Sequence, residues 1–172
     1  MTRIEVPYDH EINRTLALLH RPGLLLAARD SQGRANAMTI GWGTLGIIWS
    51  LPIFSVLVRP SRYTYGLIED AQAFSVNVPT RAMYDWVAVC GSRSGRDMDK
   101  FTEHHMAYTA SEVADTITID GALQTYECRV VHHNDVIPAN LDAQVEANAY
   151  GGADYHRIYY GQILRVTAEE TR

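Results

Sequence analysis

The sequence predicts a mainly β domain, a small antiparallel barrel with short helices inserted between its strands. Three observations carry that prediction. About seven runs are rich in β-branched and aromatic residues or alternate polar with apolar, as half-buried strands do. Turn signals built on glycine and proline separate these runs. The last three runs also follow one another closely, as in a meander.

The elements are taken in chain order. Asp9 to His20 places Ile12, Leu16 and Leu19 at helical spacing ahead of Pro22-Gly23, which predicts a short amphipathic helix. Leu24–Ala28 and Ala35–Trp42 flank the Gly-containing turn Asp30-Ser31-Gln32-Gly33-Arg34 and read as a hairpin. Ile47-Ile48-Trp49 and Ile53–Val58 supply a third and a fourth strand, with Pro52 and Pro60 as punctuation around the second run. Tyr63–Ala71 is helix-compatible, and Phe74–Val78 alternates as a strand until Pro79. Arg81–Val89 is helical again and breaks at Cys90-Gly91-Ser92-Arg93-Ser94-Gly95-Arg96; Asp97–His105 suits another short helix. The last three strands are Ala122–Val131, Leu141–Tyr150 and His156–Val166, the final two divided by Gly151-Gly152.

One core suffices for 172 residues, so residues 1–172 are expected to form a single domain. The chain is 47% hydrophobic and 20% charged, and no stretch is polar enough to resist burial. Fifteen Lys and Arg against twenty Asp and Glu leave a net charge of -5, the wrong sign for holding nucleic acid over a broad surface. Any basic site is therefore local. Charges at Arg3 and Glu5 and the lack of a long apolar run argue against a signal peptide or a membrane span, so a cytoplasmic protein is expected. Cys90 and Cys128 stand far apart without a Cys-x-x-Cys partner, which favours two reduced thiols over a disulfide or a thiolate zinc site.

Three segments hold polar and small residues where strand packing does not ask for them. They are Asn36-Ala37-Met38-Thr39 with Trp42-Gly43-Thr44; Arg59-Pro60-Ser61-Arg62-Tyr63-Thr64; and Ser92 to Asp97 with Lys100. The second lies where a strand gives way to a helix, whose first N–H groups are free to meet an anion. Two arginines and two hydroxyls there suit a phosphomonoester better than a carboxylate, since guanidinium can grip phosphate through two parallel bonds. A plain helix cap with solvated arginines accounts for the same residues equally well. The third segment adds cations on a Gly-containing loop, yet it has neither the Gly-Lys-Ser/Thr ending of a Walker loop nor a Gly-x-Gly-x-x-Gly fingerprint. By itself it reads as a basic surface loop.

Taken together these runs resemble a known family. Asn36 to Gly43, Arg59 to Thr64, Phe74 to Pro79, and Cys90-Gly91 through Ser94-Gly95-Arg96-Asp97 to Asp99-Lys100-Phe101 are similar in order and spacing to the flavin reductase-like, FMN-binding split barrels, including flavoredoxin-type members. The likeness extends over about residues 20 to 165. It implies an antiparallel, Greek-key-like split barrel that holds FMN. It also implies that Asn36, Ala37, Met38 and Thr39 lie along the isoalloxazine edge, with backbone groups and the Thr39 hydroxyl bonding the ring's polar rim. Trp42 would stand beside the ring, and Arg59, Ser61, Arg62 and Thr64 would face the ribityl chain or phosphate, with Tyr63 a candidate ligand contact. Ser94, Arg96 and Lys100 would be further phosphate-side contacts, and Asn77 would lie near the flavin. Two subunits shape the cleft in this family, so a homodimer is implied. The family's Gly-Asp-His stretch and later Gly-Glu read here as Gly152-Ala153-Asp154-Tyr155-His156 and Gly161-Gln162; His156 matches the histidine near the nicotinamide site at altered spacing.

FMN accepts hydride by itself, so the protein needs to hold the ring, leave a face open and place donors, without an acid–base dyad. That agrees with the lack of a Ser-His-Asp or paired-carboxylate arrangement. The expected activity is an NAD(P)H:FMN oxidoreductase, using NADH or NADPH and able to supply a separate oxygenase. The alternatives are an FMN-holding electron carrier without nicotinamide turnover and a split-barrel enzyme with another substrate. No metal is expected, because His104-His105 and His132-His133 are adjacent pairs that cannot both ligate one ion easily from a strand. Trp49, Trp86 and most of the ten tyrosines are assigned to core or interface packing.

Overall fold

The computed structural model describes residues 3–170. Most of the sheet is one antiparallel ladder in the order β3 (Ala35–Ile40), β2 (Leu24–Arg29), β6 (Ala73–Val78), β9 (Gln124–Asp135), β10 (Arg157–Glu169), β5 (Leu51–Val58) and β4 (Gly43–Ile48). β1 (Arg3–Glu5) pairs with the last residues of β10. The ladder ends at β3 and β4, which are separated in the chain by only Gly41 and Trp42 and share no backbone pairing among the described residues. β3 nevertheless lies beside β5. The sheet thus curls into a barrel that stays open along β3, a split barrel.

The apolar run Leu24-Leu25-Leu26-Ala27-Ala28 does not alternate because both faces of β2 are covered. Leu24, Leu26 and Ala28 turn into the barrel with Phe54, Phe74 and Tyr126. Leu25 and Ala27 turn outward onto Val87 of α3 (Tyr84–Ser92), Phe101 of α4 (Lys100–Glu103) and Ile117 and Ile119 of β8 (Ile117–Ile119). The second layer holds α3 and α4 against the open strand, and this sets the floor of the site. α1 (Ile12–His20) and α2 (Tyr63–Ala71) form where the apolar spacing predicts them, and α2 stops at Gln72, whose φ of 52° is left-handed. β4 and β5 are joined through Trp49 and Ser50, with φ of 54° and 59°, the pair of left-handed residues a two-residue hairpin turn needs.

Several expectations are corrected. Leu141–Tyr150 is not a strand: Ala143–Ala149 is a helix, α5. The Asp142 carboxylate accepts from the N–H groups of Gln144 and Val145, and three alanines follow, so cap and helix propensity prevail over a short accidental alternation. The closing meander is consequently absent, and β9 pairs directly with β10. Ten strands occur among the described residues, more than the roughly seven expected; β1, β7 (Tyr108–Ala110) and β8 were missed because they have three residues each, too few to show a period. Cys90, Gly91 and Ser92 belong to α3, and the loop begins at Arg93. Pro52 sits inside β5 opposite Ile47, just beyond the residues that pair with β10.

Both cysteines are free and buried. Among the described residues no helix is long and apolar enough to cross a membrane.

Candidate functional site

The split in the barrel opens onto two adjoining cavities of about 200 Å³ each, which share Met38, Thr39 and Arg62. Their linings differ. Arg62, Arg93, Arg96 and Lys100 line the first, together with hydroxyl and amide groups and without a carboxylate. The second is walled by Met38, Ile40, Leu57 and Trp42, with Arg59 and His156 at its polar side.

Rigid elements build the cationic cavity. Asn36 of β3 donates from Nδ2 to Thr64 Oγ1 at 2.8 Å, and both residues are buried, so the open strand is fixed to the first turn of α2. A Cβ at Gly95 would come within 2.5 Å of Asn36 Oδ1 and of the Tyr63 ring, so only glycine lets the α3–α4 loop lie this close. Arg96 donates to the Ser61 carbonyl at 2.8 Å and covers the Tyr63 ring at 5.7 Å, while its own N–H bonds Ser94 Oγ at 3.2 Å. Asp99 caps α4 by accepting from Phe101 and Thr102, which sets Lys100 at the helix start.

Lys100 is 2% exposed and donates from Nζ to the Ala37 carbonyl at 2.8 Å. Burial lowers its pKa; Cys90 opposes that shift and Arg62 adds to it. An ammonium has three donors, so a buried one with a single carbonyl partner gains strongly from an anion. The same bond orients β3. Ala37 turns its carbonyl away from β2, and because backbone groups alternate sides along a strand, Thr39 presents its N–H and C=O along the same open edge.

The second cavity is closed by a different kind of structure. Trp42, 47% exposed, lies 5.1 Å from the His156 ring. His156 is buried, and its Nδ1 meets the Tyr150 hydroxyl at 3.0 Å. Burial, with the Arg59 cation adding to it, pushes the His156 pKa down to about 4, so the imidazole is neutral at pH 7. Arg59 donates to the carbonyls of Ala149 at 2.6 Å and Asp154 at 2.8 Å and stacks on Tyr150 at 5.1 Å. The Asp154 carboxylate in turn accepts from Ser61 N–H at 3.2 Å and Ser61 Oγ at 2.6 Å. The segment after α5 is thereby pinned over the end of β5.

The structure brings the residues expected from the sequence to this cleft, with Ala37 bracing it through its carbonyl, and one exception. Asn77 is the exception. Its Nδ2 donates to the Leu25 carbonyl and Ser75 Oγ, its Oδ1 accepts from Ile119 N–H and Thr125 Oγ1, and it is fully buried as a brace between β6 and β8. Three others have different partners than expected: Thr39 Oγ1 donates to the Val87 carbonyl at 2.5 Å, and Arg59 and Ser61 are engaged by residues 149 to 154. The sequence reading did not single out Arg93, Cys90, Tyr150 or Asp154 as site residues. Arg93 was visible in the same basic loop; Tyr150 was hidden by the strand expected there, and Asp154 stood between two expected strands, noted only as part of the Gly152 to His156 stretch.

Residues 16–172 match the family described as flavin reductase like domain. An uncharacterised protein of Escherichia coli, YddH, is 34% identical over 93 residues, which are 54% of this chain and 48% of that protein; the chain thus aligns with about half the length of this relative. Among solved structures, a flavoredoxin from Methanosarcina acetivorans superposes with a TM-score of 0.67 at 26% identity, covering 86% of this chain and 69% of that one. An FMN-binding protein from Thermus thermophilus with bound 1-cyclohex-2-enone gives a TM-score of 0.65 at 24% identity, covering 84% and 68%. With an open barrel edge and a cationic cleft at that edge, and with the match running from α1 to the end of the chain, this protein belongs to the flavin reductase like domain family.

Proposed function

We propose that the cleft holds FMN and that the protein is an oxidoreductase drawing reducing equivalents from NADH or NADPH. Charge segregation is the observation that carries the proposal. A chain with a net charge of -5 gathers three arginines and a buried lysine around one cavity without a carboxylate, next to a cavity walled by Met38, Ile40, Leu57 and an indole. That pairing suits a molecule with a phosphate at one end and a flat apolar ring at the other.

Arg62, Arg93, Arg96 and Lys100 would take the phosphate, the open edge of β3 at Thr39 would meet the ring's polar rim, and Met38 and Trp42 would contact the ring. When bound, the isoalloxazine supplies hydride acceptance and delivery. The protein's part is positional. Neutral His156 brings a polar atom without a charge to the ring side, and its bond to Tyr150 holds the imidazole plane. Segment 149–156 excludes water from that side through the Arg59 and Asp154 contacts. A homodimer belongs to the same reading; exposed Ile47 and Trp49 at the β4–β5 tip offer apolar surface that a second copy would cover.

Anaerobic stopped-flow mixing of the FMN-loaded protein with NADH and with NADPH tests the activity. Loss of the flavin's visible absorbance at a rate that rises and saturates with nicotinamide supports it. A protein that stays yellow with both donors is a carrier, and the oxidoreductase half of the proposal is then wrong.

A further inference from the structure

A separate cavity of about 150 Å³ lies at the opposite end of the barrel, where the first turn of α1 crosses the start of β9 and the end of β10. His156 precedes β10 and Ala168 nearly ends it, so about 40 Å of extended chain separates this cavity from the cleft. Nothing in the proposed function uses it.

Gln124 defines its chemistry. The residue is 3% exposed, and its Nε2 donates to the His10 carbonyl at 3.0 Å and to the Tyr126 hydroxyl at 2.5 Å. A carbonyl can only accept, so the amide orientation is fixed and Oε1 is turned the other way. Among the described residues Oε1 has no donor, yet no sealed side-chain polar atom lacks a partner, so this oxygen reaches the open space of the cavity. Thr15, 1% exposed, adds a hydroxyl bonded to Tyr126 at 3.2 Å. Val78, Leu123 and Ala168 supply the apolar wall. At the rim, Glu11 and Glu169 outnumber the one guanidinium, Arg14, and none of the three is ion-paired among the described residues.

We propose that this cavity is a binding site for a small organic cation, an alkylammonium whose N–H groups are accepted by Gln124 Oε1. Three features select that class. The acceptor that opens into the cavity favours a donor, the excess of carboxylate favours positive charge, and the wall favours a short hydrocarbon chain. The volume admits about five heavy atoms at roughly 30 Å³ each.

The test is a nitrogen-15 chemical-shift titration of the purified protein with n-butylammonium chloride, compared with n-butanol and with butyrate at equal ionic strength. The expected result is saturable shifts at the Gln124 side-chain amide and at the backbone amides of Thr15 and Leu123, with n-butanol at least about tenfold weaker and butyrate inactive. Ala168→Leu, which fills the cavity from β10, should abolish the shifts, and rim variant Glu169→Gln should weaken binding about threefold. Both variants lie away from the cleft and should take up FMN as the parent does, which reports an intact fold. Shifts that do not saturate, that are equal for all three probes, or that survive Ala168→Leu mean a cavity holding water only and overturn the proposal.

Discussion

Arg59 and Arg62 leave the same end of β5 three residues apart, and their surroundings are opposite. Arg59 is spent on the protein itself, gripping the carbonyls of Ala149 and Asp154 and the face of Tyr150. Arg62, at the start of α2, lines both cavities, and its guanidinium has no hydrogen-bond or ion-pair partner among the described residues. The contrast extends to the two halves of the cleft. One is built from β3, α2 and the α3–α4 loop, locked by buried bonds such as Asn36 to Thr64; the other is closed by an exposed segment held through a few polar contacts. Ligand affinity therefore should reside in the first half, and access or turnover in the second.

The largest expected effects fall on the cationic half. Arg62→Ala should weaken FMN binding by about 1.5–3 kcal/mol, whereas Arg59→Ala should change it by less than about 1 kcal/mol, as read by fluorescence titration. Equal losses would erase the distinction. Lys100→Met should cost FMN affinity on the same scale of about 1.5–3 kcal/mol while leaving the flavin-free melting temperature unchanged or higher, since it removes a buried charge and keeps the apolar stem.

The next effect lies in the other half and depends on pH. His156 is lowered from the ordinary 6.5 to about 4 in the folded protein, chiefly by burial. Above pH 6.5 it is neutral in both folded and unfolded chains and contributes no slope. As pH falls from 6.5 towards 4, the unfolded chain binds a proton that the folded one refuses, so stability declines, by on the order of 2 kcal/mol. Urea midpoints at pH 7 and pH 5 should separate in the parent and converge in His156→Gln.

How far the sequence alone reached follows the same division. The cationic half was legible because its residues sit in short contiguous runs, Asn36 to Thr39 and Arg59 to Thr64, whose type and order carry the chemistry. α2 was legible to the residue, since Tyr63 to Ala71 carries the spacing between two clear breaks. The closing segment was not. Leu141, Ala143 and Val145 alternate by accident, and the competing helix is fixed by one Asp142 cap that a period count does not weigh. Asn77 was misplaced because a polar residue inside a strand looks available until the four bonds around it are seen. Ser61 failed similarly: its partner Asp154 lies 93 residues away.

Smaller effects sharpen the picture. Thr64→Val strands the buried Asn36 amide and should lower stability by about 1–2 kcal/mol in thermal denaturation. Ser61→Ala removes a partner of Asp154, not of the ligand, so FMN affinity should move by less than about 0.5 kcal/mol while proteolysis of segment 149–156 speeds up.

The most direct test compares FMN with riboflavin, which differ by the phosphate alone, in parallel spectroscopic titrations of the parent and of Arg62→Ala/Lys100→Met. The account predicts that the parent prefers FMN by about 100-fold or more and that the double variant loses most of that preference. Equal affinity of the parent for the two flavins would contradict it.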